Sequence, residues 1–465
     1  MKIAWPRVRR EWRATLHLAL PLIGAQLASM GTNVVDAMLA GHLSAHVQAA
    51  VTTGASVWSL AILAGIGTML AVPPTVAQLD GAGRRDEIGA VIRQALWIAL
   101  LLGVLLCLFV RNAEPLLNHI GVVPSLRHDT GEFLRAVGWG APALVGYFTL
   151  RGLSEGLSLP RPSLMFSLMG LVVLAPLDYV LMYGALGVPE LGALGSGIAT
   201  AITLWLEFIA FGIYILRHRN YRGIGLLDRF DWPHWKVIVE LLHLGVPMAF
   251  SVLMEGGVFV AAALAIATLG VDQEAAHQIA LNVSSVTFML PLGLAMAITI
   301  RVGNAVGRGD GMAVRYAGFC GIALALATQL VSATLILTLP HAIAHLYSDN
   351  RTVITLAASL LVIAGVFQFA DGIQVASNGA LRGLKDTRVP MLITAFAYWG
   401  VGMPVGLWLT FGRDMGARGM WMGLAAGLSM AALLLFLRWC RSANHDRWRT
   451  HKPEAPLPDA PGIMT

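Results

Sequence analysis

Five carboxylic acids stand inside long apolar stretches of this 465-residue chain. They are Asp36, Asp178, Glu207, Glu255 and Asp371. An ionised carboxylate in hydrocarbon is unfavourable by several kcal/mol, so a carboxyl group there holds a proton or binds a cation. Such a group can bind H⁺ or Na⁺ in one state of a protein and a positively charged organic molecule in another. Ion-coupled binding is therefore the chemistry that these residues indicate.

Their positions suggest two groups, Asp36 with Asp178 in the first half of the chain and Glu255 with Asp371 in the second. For each carboxyl the alternative is a protonated hydrogen-bond donor that ties two helices together. Glu207 stands near the end of its apolar stretch, where a long side chain can extend to the interface or face another helix, and is a weaker candidate. We expect no lysine or arginine at the depth of these carboxyls, and we expect Arg151, Glu155 and Arg382 to form anchors and ion pairs at helix ends.

Other side chains could complete the shells around the carboxyls or line a substrate path. The candidates are Asn33, Thr200, Gln278, Asn282, Phe288, Phe367 and Gln374. A bound Na⁺ is expected at Glu255 and Asp371. The choice between Na⁺ and H⁺ stays open, since carboxylates bind both.

The elements that carry these residues are membrane-spanning helices. Hydrophobic residues make up 57% of the chain and charged residues 12%, against about 25% charged in an average soluble domain. The apolar runs are long enough for a helix to cross the bilayer, and they lack the alternation of a β-barrel. We predict an all-α polytopic membrane protein with twelve spans, at about 15–40, 47–73, 89–110, 131–155, 162–185, 192–216, 239–269, 275–302, 315–340, 352–381, 389–411 and 418–439.

Basic residues gather on one side of these spans. All but six of the 32 lysines and arginines fall on the side of the two termini. The six exceptions are Arg111, Arg127, Arg135, Arg351, Arg413 and Arg418. By the positive-inside rule both termini are cytoplasmic. The net charge of +6 is accounted for by basic residues that set the orientation of the spans, so a nucleic-acid partner is not expected.

The chain also repeats itself at a shift of 226 residues. Pro21 falls on Pro247 and Gly67 on Gly293, and a weaker match pairs Pro176 with Pro404. The repeat therefore predicts two pseudo-symmetric six-helix bundles of the same orientation. This arrangement is typical of transporters that work by alternating access. We expect a cytoplasmic arm at 1–14, bundles at 15–216 and 239–440, a cytoplasmic linker at 217–238 and a disordered cytoplasmic tail at 441–465.

Enzyme motifs are absent from the sequence. It contains no GxxxxGK[ST], no HExxH and no Cys/His metal spacing, and its three cysteines are isolated. We therefore expect a protein that is not an enzyme, uses no cofactor and takes its energy from an ion gradient.

Several separate motifs resemble the multidrug and toxic compound extrusion (MATE) family, in its NorM branch. They occur in the family's order over about residues 15 to 440, as LPLIGAQLASMGTNVVDAMLAG, VAQLDGAGR, LRGLSEGLSLPRPS, PLDYVLMYGALGVPELGALGSGIATA, AAHQIALN, IRVGNAVGRGD and DGIQVASNGALRGLKDTRVP. The resemblance implies a monomeric, multi-pass exporter of the bacterial inner membrane that exchanges Na⁺ or H⁺ for cationic drugs.

By the same resemblance, Asp36 matches the family's first-half acid, and Glu255 and Asp371 match its second-half carboxylates for cation binding. Two residues depart from the branch, because Asp178 and Leu174 stand where asparagine is usual. The aspartate resembles the first-half carboxylate pair of the DinF branch. The alternatives are a lipid-linked precursor flippase of the same superfamily, which needs basic residues in its cavity, and a metabolite permease.

Overall fold

A computed structural model describes residues 5–119, 123–226 and 230–444. The described chain is helical and contains no strand, which confirms the all-α prediction. The helices of the first half are α1 (Trp5–Leu43), α2 (Ala45–Met69), α3 (Val72–Gly81), α4 (Arg85–Arg111), α5 (Glu114–His119), α6 (Pro124–Val137), α7 (Ala141–Gly156), α8 (Arg161–Tyr183) and α9 (Gly192–Arg217). Those of the second half are α10 (Trp235–Ala267), α11 (Val271–Gly307), α12 (Gly311–Thr338), α13 (Pro340–His345), α14 (Arg351–Gly383), α15 (Arg388–Ala395), α16 (Met403–Leu407) and α17 (Ala417–Asn444).

Eleven helical segments of the described chain are long and apolar enough to cross a membrane. The remaining predicted span, at 131–155, is built from α6 and α7, which the 3₁₀ turn Gly138–Gly140 joins. The interruption and the charged residues at the start of α6 explain why this span is less regular than the others. In the second half, π-helical turns at Phe396–Gly402 and Trp408–Gly412 flank α16 near Pro404.

Several helices extend beyond their predicted ends. Residues 5–14, which the sequence suggested as an arm, continue as the first turns of α1. Glu11 on these turns accepts two hydrogen bonds from the Arg301 guanidinium, at 2.7 and 2.8 Å. The predicted disordered tail begins with four helical residues of α17, and its residues 445–465 lie outside the described chain.

The chain divides into two compact units. Among the described residues, one unit contains 5–23 and 250–444, and the other contains 24–249. Both α1 and α10 therefore change unit along their length, shortly after Pro21 and Pro247. The two points of change are separated by the 226 residues of the sequence repeat. A proline frees a carbonyl and permits a bend at such a point.

Equivalent glycines bring helices together in each unit. A Cβ at Gly156 of α7 would lie 2.6 Å from Val76 Cβ of α3, and one at Gly383 of α14 would lie 2.7 Å from Val302 Cβ of α11. Both distances are too short for real contacts, so only glycine fits. Close approach through small residues is how membrane helices pack tightly.

We predict that Gly156→Ala and Gly383→Ala each destabilise the protein by about 1–3 kcal/mol, the usual effect of overpacking a close contact. The measurement is thermal unfolding of the purified protein in detergent. Gly212→Ala is the matched control, because a Cβ on that helical glycine of α9 would meet only Leu150, at an ordinary 3.7 Å. Equal unfolding temperatures for all three variants would contradict the packing argument.

Candidate functional site

Asp36 of α1 and Asp178 of α8 face each other inside the unit formed mainly by the first half. Their carboxyl groups are close enough to form a hydrogen bond with each other. Asp178 has no exposed surface, and Asp36 is partly exposed with its Oδ1 buried. Two ionised carboxylates have no hydrogen to share, so this contact requires a proton on one of them. The predicted grouping of Asp36 with Asp178 is thus what the structure brings together.

The pair has little other polar support. Apart from the other carboxyl of the pair, no N–H or O–H group of the described residues donates to either oxygen of Asp178 or to Oδ1 of Asp36. Leu174, one turn before Asp178, is buried and presents an apolar side chain where the branch usually has asparagine. A proton shared between the two carboxyls gives one oxygen of each a hydrogen bond and reduces the charge of the pair from −2 to −1. The surroundings therefore favour a protonated pair over a pair of charges.

Thr200 is the predicted neighbour that lies at the height of this pair. Helices α8 and α9 run antiparallel, since Gly195 packs on Leu181 and Gly170 packs on Glu207. This register places Thr200 beside the stretch of α8 that holds Asp178. Its hydroxyl oxygen is buried and has no hydrogen-bond partner in the described chain. Asn33 lies one turn before Asp36 on α1, and its side chain is exposed.

Glu255 and Asp371 lie in the other unit, on α10 and α14, and their charges interact. The Tyr398 hydroxyl donates a long hydrogen bond of 3.4 Å to Glu255 Oε1. Arg382 also interacts electrostatically with Glu255. The sequence suggested Arg382 only as an anchor or ion-pair partner at a helix end. Arg382 lies in the last turn of α14, and its charge acts on the carboxylate from there.

A chain of amide side chains ends at Asp371. Gln329 Nε2 of α12 donates to Gln368 Oε1 at 2.6 Å and to Asp371 Oδ2 at a longer 3.4 Å. Gln368 Nε2 in turn donates to Thr287 Oγ1 at 2.6 Å. Sequence reasoning missed Gln329, Gln368 and Tyr398. The available signal was the presence of two glutamines within apolar spans, where an unsatisfied amide is costly.

The other predicted residues of this unit differ in their surroundings. Gln374, one turn after Asp371, is buried, and neither its amide nitrogen nor its oxygen has a hydrogen-bond partner in the described chain. Phe367 is buried and stacks on Trp421 with ring centroids 5.7 Å apart, so it packs in the core. Gln278 is exposed and donates to Glu274, Asn282 is exposed, and Phe288 is partly buried.

The unit that contains Asp36 and Asp178 also contains a buried ion pair, between two residues that the sequence suggested as partners at a helix end. Arg151 Nε donates to Glu155 Oε1 at 2.6 Å, and Arg151 Nη2 donates to Gln26 Oε1 of α1 at 2.7 Å. Both charged residues are 2% exposed. Glu207 is also buried, in space that Gly170 leaves open, and interacts electrostatically with Arg151. Of the two arrangements expected for it, Glu207 takes the one that faces another helix, since it lies against Gly170 of α8.

Comparison with known proteins agrees with this architecture. The sequence pattern of the MatE family matches residues 21–180 and 247–408. A probable multidrug resistance protein NorM of Xanthomonas campestris pv. campestris is 48% identical over 441 residues, 95% of this chain and 96% of that protein. The multidrug resistance protein PmpM of Pseudomonas aeruginosa is 41% identical over 459 residues, 97% of this chain and 96% of its own.

The fold has solved counterparts. The crystal structure of the eukaryotic MATE transporter AtDTX14 matches with a TM-score of 0.86 at 21% identity, and the match covers 95% of this chain and 99% of that one. The family pattern falls on both halves of the repeat and includes Asp36, Asp178, Glu255 and Asp371. The chain therefore belongs to the MatE family, the multidrug and toxic compound extrusion transporters.

Proposed function

We propose that this transporter exports cationic, amphiphilic drugs in exchange for protons, and that Asp36 and Asp178 form the proton-binding site. The observation that carries the proposal is the direct contact of the buried Asp178 carboxyl with the partly exposed Asp36 carboxyl, where no other hydrogen-bond donor of the described chain reaches Asp178 or Asp36 Oδ1. A shared proton lowers the charge of this pair in the apolar bundle. Loss of that proton leaves two negative charges that attract a cationic substrate.

The exchange follows from competition between the two ligands. A proton and a cationic drug both reduce the negative charge of the same pair, so binding of one weakens binding of the other. Such negative coupling acts equally in both directions. When the site opens alternately to the two sides of the membrane, protons entering along their gradient drive the drug out. The relatives' names as multidrug resistance proteins support drugs as the substrate class.

A proton fits the first pair better than Na⁺. Metal cations of this kind take several oxygen ligands, in transporters often including carbonyls of unwound helix. Here Leu174 occupies one neighbouring position, and the described donors and acceptors around Asp178 are few. Na⁺ at Glu255 and Asp371 stays a prediction from the sequence. The positive charge of Arg382 beside Glu255 opposes a second cation there.

The orientation and setting are part of the same proposal. The bias of basic residues supports cytoplasmic termini, and the bacterial relatives support the inner membrane as the location. We also propose that the chain works as a monomer without a cofactor or nucleic-acid partner. The alternatives of a lipid-linked precursor flippase and a metabolite permease lack a supporting observation.

The test of the coupling ion is drug efflux from proteoliposomes with one imposed gradient at a time. We expect a pH gradient alone to drive ethidium transport, because the proton site is the source of energy. A Na⁺ gradient alone at equal pH on both sides should give no transport above that of empty liposomes. Transport driven only by Na⁺ would overturn the proposal.

We predict that Asp36→Asn and Asp178→Asn each reduce drug efflux driven by a pH gradient at least tenfold. An asparagine can keep a hydrogen bond to the remaining aspartate, but it cannot release a proton. Vesicle efflux and membrane expression are the measurements. Glu190→Gln is the matched control, because this exposed acid lies outside the membrane helices. Normal efflux by both aspartate variants would rule out the pair as the coupling site.

For the unit that contains Glu255 and Asp371, we predict that the charges of Glu255 and Arg382 are energetically coupled. The two charges attract each other, so Glu255→Gln and Arg382→Gln, which each remove one of them, should each lower the unfolding temperature. The double variant should be less destabilised than the sum of the two, by about 1–3 kcal/mol. Thermal unfolding in detergent measures the cycle. Arg388→Gln, an exposed arginine on α15, is the control, and simple additivity would refute the coupling.

A further inference from the structure

A shallow groove of about 380 Å³ lies between α8 and α9 at the ends where α8 begins and α9 finishes. Its walls are apolar and aromatic, formed by Phe166 of α8 and by Ala210, Ile213 and Tyr214 of α9. Arg217 and His218 complete its lining at one end. The groove thus has a long apolar part and a basic end. That division of chemistry matches an amphiphile with an apolar chain and an anionic head.

The basic end of the groove stands at the boundary of the apolar span. Helix α9 ends at Arg217, and the stacked pair Phe166 and Phe211 fixes the antiparallel register of α8 and α9. This register places Arg161, the first residue of α8, level with the last turn of α9. Ile209, Ile213 and Leu216 are 46–51% exposed along α9. In a bilayer, such exposed apolar side chains contact lipid chains.

The charge at this boundary is positive in the described part of the chain. Residues 208–226 contain Arg217, Arg219 and Arg222 but no acidic residue, and residues 157–177 contain Arg161 and no acidic residue. In the described part of the chain, none of these four arginines has an ion-pair partner. Unpaired arginines at the membrane surface attract anionic lipid headgroups.

The aromatic residues hold the groove in a fixed shape. Tyr214 stacks on His218 with ring centroids 4.9 Å apart, and Phe166 packs edge-on against Tyr214 at 5.6 Å. Phe166 also stacks on Phe211 at 4.5 Å. Tyrosine is common at membrane interfaces because one end of its ring is apolar and the other is polar. A ligand entering the groove therefore meets a surface that is already formed.

We propose that this groove is a binding site for an anionic phospholipid. One acyl chain lies along Phe166, Ala210 and Ile213, and the phosphate contacts Arg217 and Arg161 at the basic end. The site is separate from the carboxyl pair, so the proposal stands independently of the coupling ion. Nothing in the transport cycle requires this lipid to be carried.

The repeat supplies a matched comparison. Arg441 near the end of α17 corresponds to Arg217 in the register that pairs GALG at 192–195 with GARG at 416–419. In the second half, the neighbouring Arg438 is bonded to Asp386 Oδ2 at 2.8 Å, so an acid already compensates basic charge there. Removing the charge of Arg441 therefore changes the net charge by the same amount without altering the groove.

The experiment measures lipid retention by the full-length protein in neutral detergent, using native mass spectrometry with added phosphatidylglycerol or phosphatidylcholine. We expect the unmodified protein to retain phosphatidylglycerol in preference to phosphatidylcholine. Arg217→Gln should weaken phosphatidylglycerol binding about fivefold, and Arg161→Gln with Arg217→Gln about twenty-five-fold, from the usual effect of one basic residue near an anionic surface. Arg441→Gln should bind as the unmodified protein does.

A second variant tests the apolar part of the site. Ala210→Phe fills the groove but keeps every arginine, so it should also lose the retained lipid. Equal retention of both lipids, or unchanged phosphatidylglycerol binding by the double arginine variant and by Ala210→Phe, would overturn the proposal. So would thermal stabilisation by inorganic phosphate as large as that by phosphatidylglycerol, since a free anion would then account for the arginines.

Discussion

The structure depends on one constraint, the high free energy of an unpaired carboxylate inside a bundle of apolar helices. Asp36 and Asp178 meet this constraint by forming a hydrogen bond with each other, which needs a proton. Arg151 and Glu155 meet it in the same unit by a different route, as a buried ion pair that stays neutral overall. Only the carboxyl pair can exchange its compensating positive charge for another cation, because a proton can leave the site. The side chain of Arg151 cannot leave its ion pair with Glu155.

The two units use one scaffold for different polar chemistry. The glycine contacts of Gly156 with Val76 and of Gly383 with Val302 occupy equivalent places in the repeat. The ionisable groups do not follow the repeat. One unit holds an isolated carboxyl pair, whereas in the other Glu255 and Asp371 lie among Tyr398, Arg382 and a chain of glutamines. Close helix packing therefore requires glycine at equivalent places in both halves, whereas the polar residues differ between the halves.

Much of the fold could be predicted because its signals are strong and local. Long apolar runs, basic ends and the 226-residue repeat give the helices and their order. The pairing of Asp36 with Asp178 was also predicted, since few ionisable groups lie at that depth. The reach of side chains could not be predicted. The charge of Arg382 at a helix end acts on Glu255, Glu207 lies over Gly170, and Gln329 Nε2 of α12 donates to Gln368 Oε1 of α14. These contacts depend on rotamers and helix rotation, which hydropathy does not encode.

The central claim is that the carboxyl pair holds a proton and gives it up to a cationic drug. Its most direct test is the number of protons released when ethidium binds to the purified transporter in a weakly buffered solution. The account predicts release of about one proton per bound drug molecule from the unmodified protein, and none from Asp178→Asn, because the asparagine amide donates its hydrogen bond to an Asp36 carboxylate that is already ionised. Binding without proton release, or equal release by the variant, would contradict it.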